Sequence, residues 1–154
     1  MNIGIAEEKR KAITDKLQQL LADEFVLYTK TRNYHWNLVA ANFTELHSFY
    51  EKQYDELADI VDEVAERIRM YGFISSGRLH DFQKLTQLPE QDYTTDAREQ
   101  LTNLINDHEA IIRYLHECIE EFEEKHGDAG AADFVTGLAE QHLKMNWMLR
   151  SHVE

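Results

Sequence analysis

The sequence predicts an all-α protein, a bundle of four long helices with one long crossover that carries a short fifth helix. Apolar residues recur at three- and four-residue steps through four long segments, the period of a helix with one buried face. The 154 residues include only 6 Gly and 1 Pro, too few turn formers for a many-stranded sheet. Hydrophobic residues make up 43% and charged residues 29%, a globular balance. A chain of this length buries roughly 70% of the surface it exposes when unfolded, so a single domain over residues 1–154 with a real core is expected.

The first helix, α1, is read over about residues 6–36, where Ile13, Leu17, Leu20, Leu21, Phe25 and Tyr28 form one stripe. Residues 38–43 interrupt the pattern, and Asn42 or Thr44 is placed to cap α2. That helix runs to residue 70, with Leu46, Phe49, Tyr50, Leu57, Val61, Val64 and Ile68 on its apolar face, and Gly72 stops it. Periodicity fails over 72–93, around Ser75, Ser76, Gly77 and Pro89, although Leu79, Phe82, Leu85 and Leu88 fit one short helix, α3. Leu101, Leu104, Ile111, Leu115 and Phe122 then mark α4 over about 95–125, which His126-Gly127-Asp128 ends. Phe134, Leu138, Met145, Met148 and Leu149 mark α5 over about 131–153. Two short links and one long one make α2 and α4 parallel, the connectivity of a bundle with a single crossover.

A formal net charge of −13 repels phosphate backbones and anionic lipid, and no concentrated basic patch offsets it. Lys9, Arg10 and Lys11 follow directly on Glu7 and Glu8 and read as the solvated start of a helix. No run of about 18 apolar residues could span a membrane, and the N-terminus lacks a signal peptide's apolar stretch. The single cysteine, Cys118, shares a stripe with Ile111, Leu115 and Phe122 and reads as a reduced, buried, structural thiol. The expected compartment is the cytoplasm.

Eight histidines among many carboxylates raise the question of metal chemistry. A di-iron site inside one bundle needs two Glu-x-x-His pairs on inward faces. Only Glu123 with His126 has that spacing, at the end of α4, where a solvated pair is expected. HExxH and CxxC motifs, a Gly-x-Ser-x-Gly elbow and a Gly-rich phosphate loop are all absent. On α2, however, His47 with Glu51 and Asp62 with Glu66 are two i, i+4 pairs. Glu51, Asp62 and Glu66 lie about 40°, 60° and 100° round the helix from His47, so all four share a face. Asp62 is also about 22 Å along the axis from His47, too far for one ion in one chain. The two pairs are mirror images about the point between Glu56 and Leu57. Two copies of α2 crossing antiparallel there would set His47 against Glu66 and Glu51 against Asp62. Two identical sites result, about a two-fold axis, the commonest oligomer symmetry. His35, just before the α1–α2 link, reaches the same end of the hairpin as His47. Two imidazoles and three carboxylates suit Fe(II), Mn(II) or Zn(II) without choosing among them. An acid-rich helix also presents such pairs as a solvated face, and His35 beside Trp36 also fits an interfacial histidine, so spacing alone leaves both readings open.

The segment Tyr34-His35-Trp36-Asn37, followed by His47, Glu51, Asp62 and Glu66, resembles the signature of the Dps family of ferritin-like proteins. That signature is His, eleven residues, His, three residues, Asp, ten residues, Asp, three residues, Glu, and every spacing matches. Glu51 stands where the family usually has Asp, one methylene longer. The resemblance extends over nearly the whole chain, including the short crossover helix, Gly127-Asp128 with Asp133, and Lys144-x-x-Trp147.

The resemblance implies a ferritin-like fold and a hollow dodecamer whose two-fold interfaces oxidise Fe(II), preferentially with hydrogen peroxide, and which stores the Fe(III) as a mineral. It implies His35, His47, Glu51, Asp62 and Glu66 as iron ligands. Trp36 is placed beside the site, either as a trap for stray oxidising equivalents or as interface packing. Asp128 and Asp133 match an acidic three-fold pore, with Gly130 where relatives carry another acid; they also read as the stop after α4 and the cap of α5. Members that compact DNA carry a Lys/Arg-rich extension before the first helix, whereas Met1 to Ile5 hold no charged side chain, so strong DNA binding is not expected. The alternatives to an iron-storing ferroxidase are a DNA-compacting protein and a ferritin-like shell with different metal use, the latter favoured by Glu51 alone.

Overall fold

Apolar residues at helical spacing bury themselves by pairing helices along their length, and the chain does so in two antiparallel hairpins. The computed structural model describes residues 1–154. In it α1 spans Glu7–Asn37 and α2 spans Phe43–Met70, joined by a short extended link. Ile13, Leu17, Leu20, Leu21 and Leu27 of α1 meet Leu46, Tyr50, Leu57, Ile60, Val64 and Ile68 of α2 in the core. The crossover contains α3, Leu79–Leu85, held to α1 by Phe82, whose ring stacks on Phe25 at 4.4 Å. The second hairpin pairs α4, Ala97–Glu120, with α5, Ala129–Arg150. The architecture is the expected all-α one, and its one non-helical pairing is an isolated bridge between Val39 and Asp96. There Val39 N–H donates to the Thr95 carbonyl at 3.0 Å, pinning the α1–α2 link to the start of α4. No helix is long and apolar enough to cross a membrane.

The helix ends depart from expectation in instructive ways. Asn42 precedes α2, but neither it nor Thr44 supplies a side-chain cap. Gly72 does end α2, at φ +90°, with its N–H on the Arg69 carbonyl at 2.9 Å. The solvated start expected for Lys9-Arg10-Lys11 is corrected at Arg10, which is only 5% exposed. Its guanidinium donates to the carbonyls of Tyr71 at 2.7 Å and Ile5 at 3.3 Å, so it locks the first turn of α1 against the end of α2. The expected Glu123–His126 pair is also corrected. A π turn over Glu121–Lys125 inserts an extra residue, so His126 Nε2 lies 3.6 Å from Glu121 Oε1 instead, and Glu123 is exposed. Cys118 is buried as expected, and burial pushes its thiol up to about 12.

Candidate metal centre

The link between α1 and α2 is short enough that the last turn of α1 and the first turns of α2 face each other. His35 Nδ1 lies 2.8 Å from the His47 carbonyl, and His47 Nδ1 lies 2.9 Å from the His35 carbonyl. A carbonyl only accepts, so each ring donates from Nδ1 and each Nε2 is left for another partner. A main-chain acceptor on the second nitrogen is the usual way a metal-binding imidazole is oriented. The rings stack with centroids 3.6 Å apart, Phe43 stacks on His47 at 4.9 Å, and Tyr54 meets His35 edge-on at 5.2 Å. The geometry thus brings His35 and His47 together and fixes both rotamers.

The carboxylates behave differently. Glu51, Asp62 and Glu66 are all exposed along one face of α2. Glu51 accepts a hydrogen bond from Tyr54 Oη at 3.4 Å, which ties it to the group that packs on His35. Asp62 and Glu66 are not brought to the histidines, and within one chain no three His, Cys, Asp or Glu side chains gather to hold a metal ion. Trp36, next to His35, is 65% exposed. The Arg32 guanidinium lies over three rings at once: Trp36 at 5.5 Å, Tyr54 at 5.0 Å and Tyr28 at 5.5 Å. It also donates to the Tyr28 hydroxyl.

The two acidic positions near the start of α5 have separate roles. Asp128 is buried: Oδ1 accepts from Ala131 N–H at 3.0 Å and Oδ2 accepts from the Tyr71 hydroxyl, so both oxygens serve the fold. Asp133 is exposed, beyond the first turn of α5, and does not cap it. The cap expected of Asp133 therefore belongs to Asp128, while Asp133 alone of the two offers a free carboxylate to solvent.

One polar cluster was missed in the sequence. Glu24 of α1, His108 of α4 and His142 of α5 are all fully buried at the middle of the bundle. His142 Nε2 meets Glu24 Oε1 at 2.8 Å, and the two Nδ1 atoms of His142 and His108 meet at 2.9 Å. His108 Nε2 and Glu24 Oε2 have no partner. The available signal was position: His108 continues the stripe of Leu104, Ile111 and Leu115, and His142 that of Leu138, Met145 and Leu149.

Comparison with known proteins agrees with the helical fold. A family model of the ferritin-like domain matches residues 14–154. A DNA protection during starvation protein of Porphyromonas gingivalis is 34% identical over 149 residues, covering 97% of this chain and 93% of that one. A low temperature-induced protein of a Nostoc species is 38% identical over 155 residues, covering 100% of this chain and 87% of that one. Among solved structures, the Dps protein of Vibrio cholerae is described as a member of a broad superfamily of ferritin-like diiron-carboxylate proteins. It superposes with a TM-score of 0.94 at 26% identity, covering 100% of this chain and 97% of that one. Dps of Staphylococcus aureus superposes with a TM-score of 0.88 at 30% identity, covering 94% of this chain and 96% of that one. With the domain match, the named relative and the helical bundle in agreement, the chain belongs to the Dps family of ferritin-like proteins.

Proposed function

We propose that the protein is an iron-storing ferroxidase, one domain per chain, that assembles as a hollow dodecamer in the cytoplasm and oxidises Fe(II) with hydrogen peroxide. The observation that carries this reading is the reciprocal His35–His47 arrangement, each ring tied through Nδ1 and open at Nε2, at one end of a face that bears Glu51, Asp62 and Glu66. About a two-fold axis one chain supplies His35, His47 and Glu51 and its mate supplies Asp62 and Glu66. Imidazole and carboxylate donors accept Fe(II) as substrate, and the carboxylates offset the extra positive charge of Fe(III). Two Fe(II) ions give one electron each to hydrogen peroxide, which takes up two protons and leaves as two waters. The O–O bond is then cleaved without release of hydroxyl radical, and the Fe(III) is stored as mineral. Asp133 is our candidate for an acidic entry pore, with Asp128 acting beneath it as a structural cap. Protection of DNA is read as a consequence of removing Fe(II) and peroxide, because a net charge of −13 per chain opposes contact with phosphate.

Complementation between two inactive variants tests the shared site. One carries His47→Ala with Glu51→Ala, the other Asp62→Ala with Glu66→Ala. Each homomeric shell is expected to lose nearly all peroxide-dependent Fe(II) oxidation. In a mixed dimer one site collects all four substitutions and the other none, so co-assembly restores activity. Verified mixed shells that stay inactive would refute the shared site.

A further inference from the structure

We propose that Tyr54 is a positioning residue whose hydroxyl holds the Glu51 carboxylate where it can take a divalent cation beside the histidine pair. This rests on the ferroxidase reading and deepens it at one ligand. Of the three carboxylates on the shared face of α2, only Glu51 has a hydrogen-bond partner in its own chain, Tyr54 Oη at 3.4 Å. An exposed glutamate turns freely about three side-chain bonds, and the entropy lost in ordering it weakens any binding that must order it. A carboxylate already held in place avoids much of that loss.

Tyr54 can act as the fixed point because its own ring is held on several sides. His35 meets the ring at 5.2 Å and Tyr28 at 6.3 Å, both edge-to-face, and the Arg32 guanidinium lies 5.0 Å from its centroid. His35 is fixed in turn through Nδ1 by the His47 carbonyl. One half-buried side chain therefore packs its ring on a ligand from α1 and bonds its hydroxyl to a ligand from α2, keeping the two in register. The phenol donates to Glu51 Oε1, so Oε2 is left to face a cation. A neutral donor also leaves the carboxylate its charge, which a lysine or arginine in the same place would offset. At 3.4 Å the bond is long, and its part is orientation more than strength. It depends on the reach of glutamate: an aspartate at position 51 is shorter by one carbon–carbon bond, about 1.5 Å, and falls outside hydrogen-bond range.

The test is calorimetric titration of the assembled, metal-free protein with Fe(II) under anaerobic conditions, with native mass measurement confirming the assembly of each variant. Tyr54→Phe keeps the ring contacts and is expected to weaken Fe(II) binding about ten-fold, the lower end of what loss of an orienting partner costs a metal site. Tyr28→Phe removes a hydroxyl that bonds Arg32 and no candidate ligand, and is expected to bind as the wild type does. Once Glu51→Asp has been made, adding Tyr54→Phe is expected to change nothing further, because the bond is already gone; this cycle isolates the coupling of the two residues. Equal weakening by Tyr54→Phe with and without Glu51→Asp would show that the ring acts through His35 or the fold. An isotherm unchanged by Tyr54→Phe would show that the hydroxyl orients nothing. Either result overturns the proposal and leaves the ferroxidase reading intact. Fe(II) binding that Asp62→Ala with Glu66→Ala leaves unaltered, or no Fe(II) binding by the wild type, would overturn both.

Discussion

His108 shows how one buried side chain couples the fold to pH. Burial first, then the neighbouring His142, holds its imidazole well below the usual histidine value. The unfolded chain binds a proton there as pH falls through about 6.5, while the folded chain resists it. The unfolded state thus gains protons first, so this contribution to stability is complete above about pH 6.5 and is lost as pH falls below it. The slope within that window is about 1.4 kcal/mol per pH unit for a single group. Thermal unfolding at pH 7 and pH 5.5 checks it: the wild type is expected to lose more than His108→Gln, by several degrees at about 2–4 °C per kcal/mol. Equal losses in the two proteins would remove His108 from the pH dependence. The reciprocal bonding of His35 and His47 works at the same scale, for two main-chain carbonyls choose which nitrogen of each ring is free.

At the scale of elements, the turn between α4 and α5 is held by one carboxylate with two tasks. Asp128 caps α5 and accepts the Tyr71 hydroxyl from the end of α2, so it ties the start of one helix to the end of another. Burial and this bond together push the Tyr71 phenol above its ordinary value. Loss of an N-cap costs about 1 kcal/mol, and leaving a buried hydroxyl unpaired costs a further 1–3 kcal/mol or so. Asp128→Ala is therefore expected to destabilise by about 2–4 kcal/mol. Asp133→Ala, at an exposed position, is expected to stay within about 0.5 kcal/mol. Chemical denaturation of the two variants decides it, and equal midpoints would show that Asp128 is not the cap that matters. The adjoining π turn explains why a sequence spacing misled: a regular helix would set Glu123 beside His126, and one inserted residue substitutes Glu121.

At the scale of the whole molecule, the chain keeps large apolar groups outside. Trp147, Leu143 and Met148 line the outer side of α5, and Trp36, Leu79 and Tyr93 stand out around α1 and the crossover. These groups are expected to lose exposure when chains assemble. Native mass measurement near pH 7 is expected to find about twelve subunits. A stable monomer would deprive Asp62 and Glu66 of any histidine partner and remove the proposed site with the shell.

How much the amino-acid order determined by itself follows the range of the interactions involved. Helix positions, the all-α class and the face shared by His47, Glu51, Asp62 and Glu66 depend on spacing along one helix, which is local and was legible. So was the buried state of Cys118, because its neighbours on the stripe are apolar. Arg10, Asp128 and the Glu24–His142–His108 chain were not legible, since each is defined by partners far away in sequence on other helices. A charged residue near a helix start looks solvated until the end of α2 arrives to cover it. A histidine on an apolar stripe likewise acquires a partner only when two hairpins close around it. Spacing could bring His35 near His47, but only the folded link decided which ring nitrogen each carbonyl takes and which it leaves free.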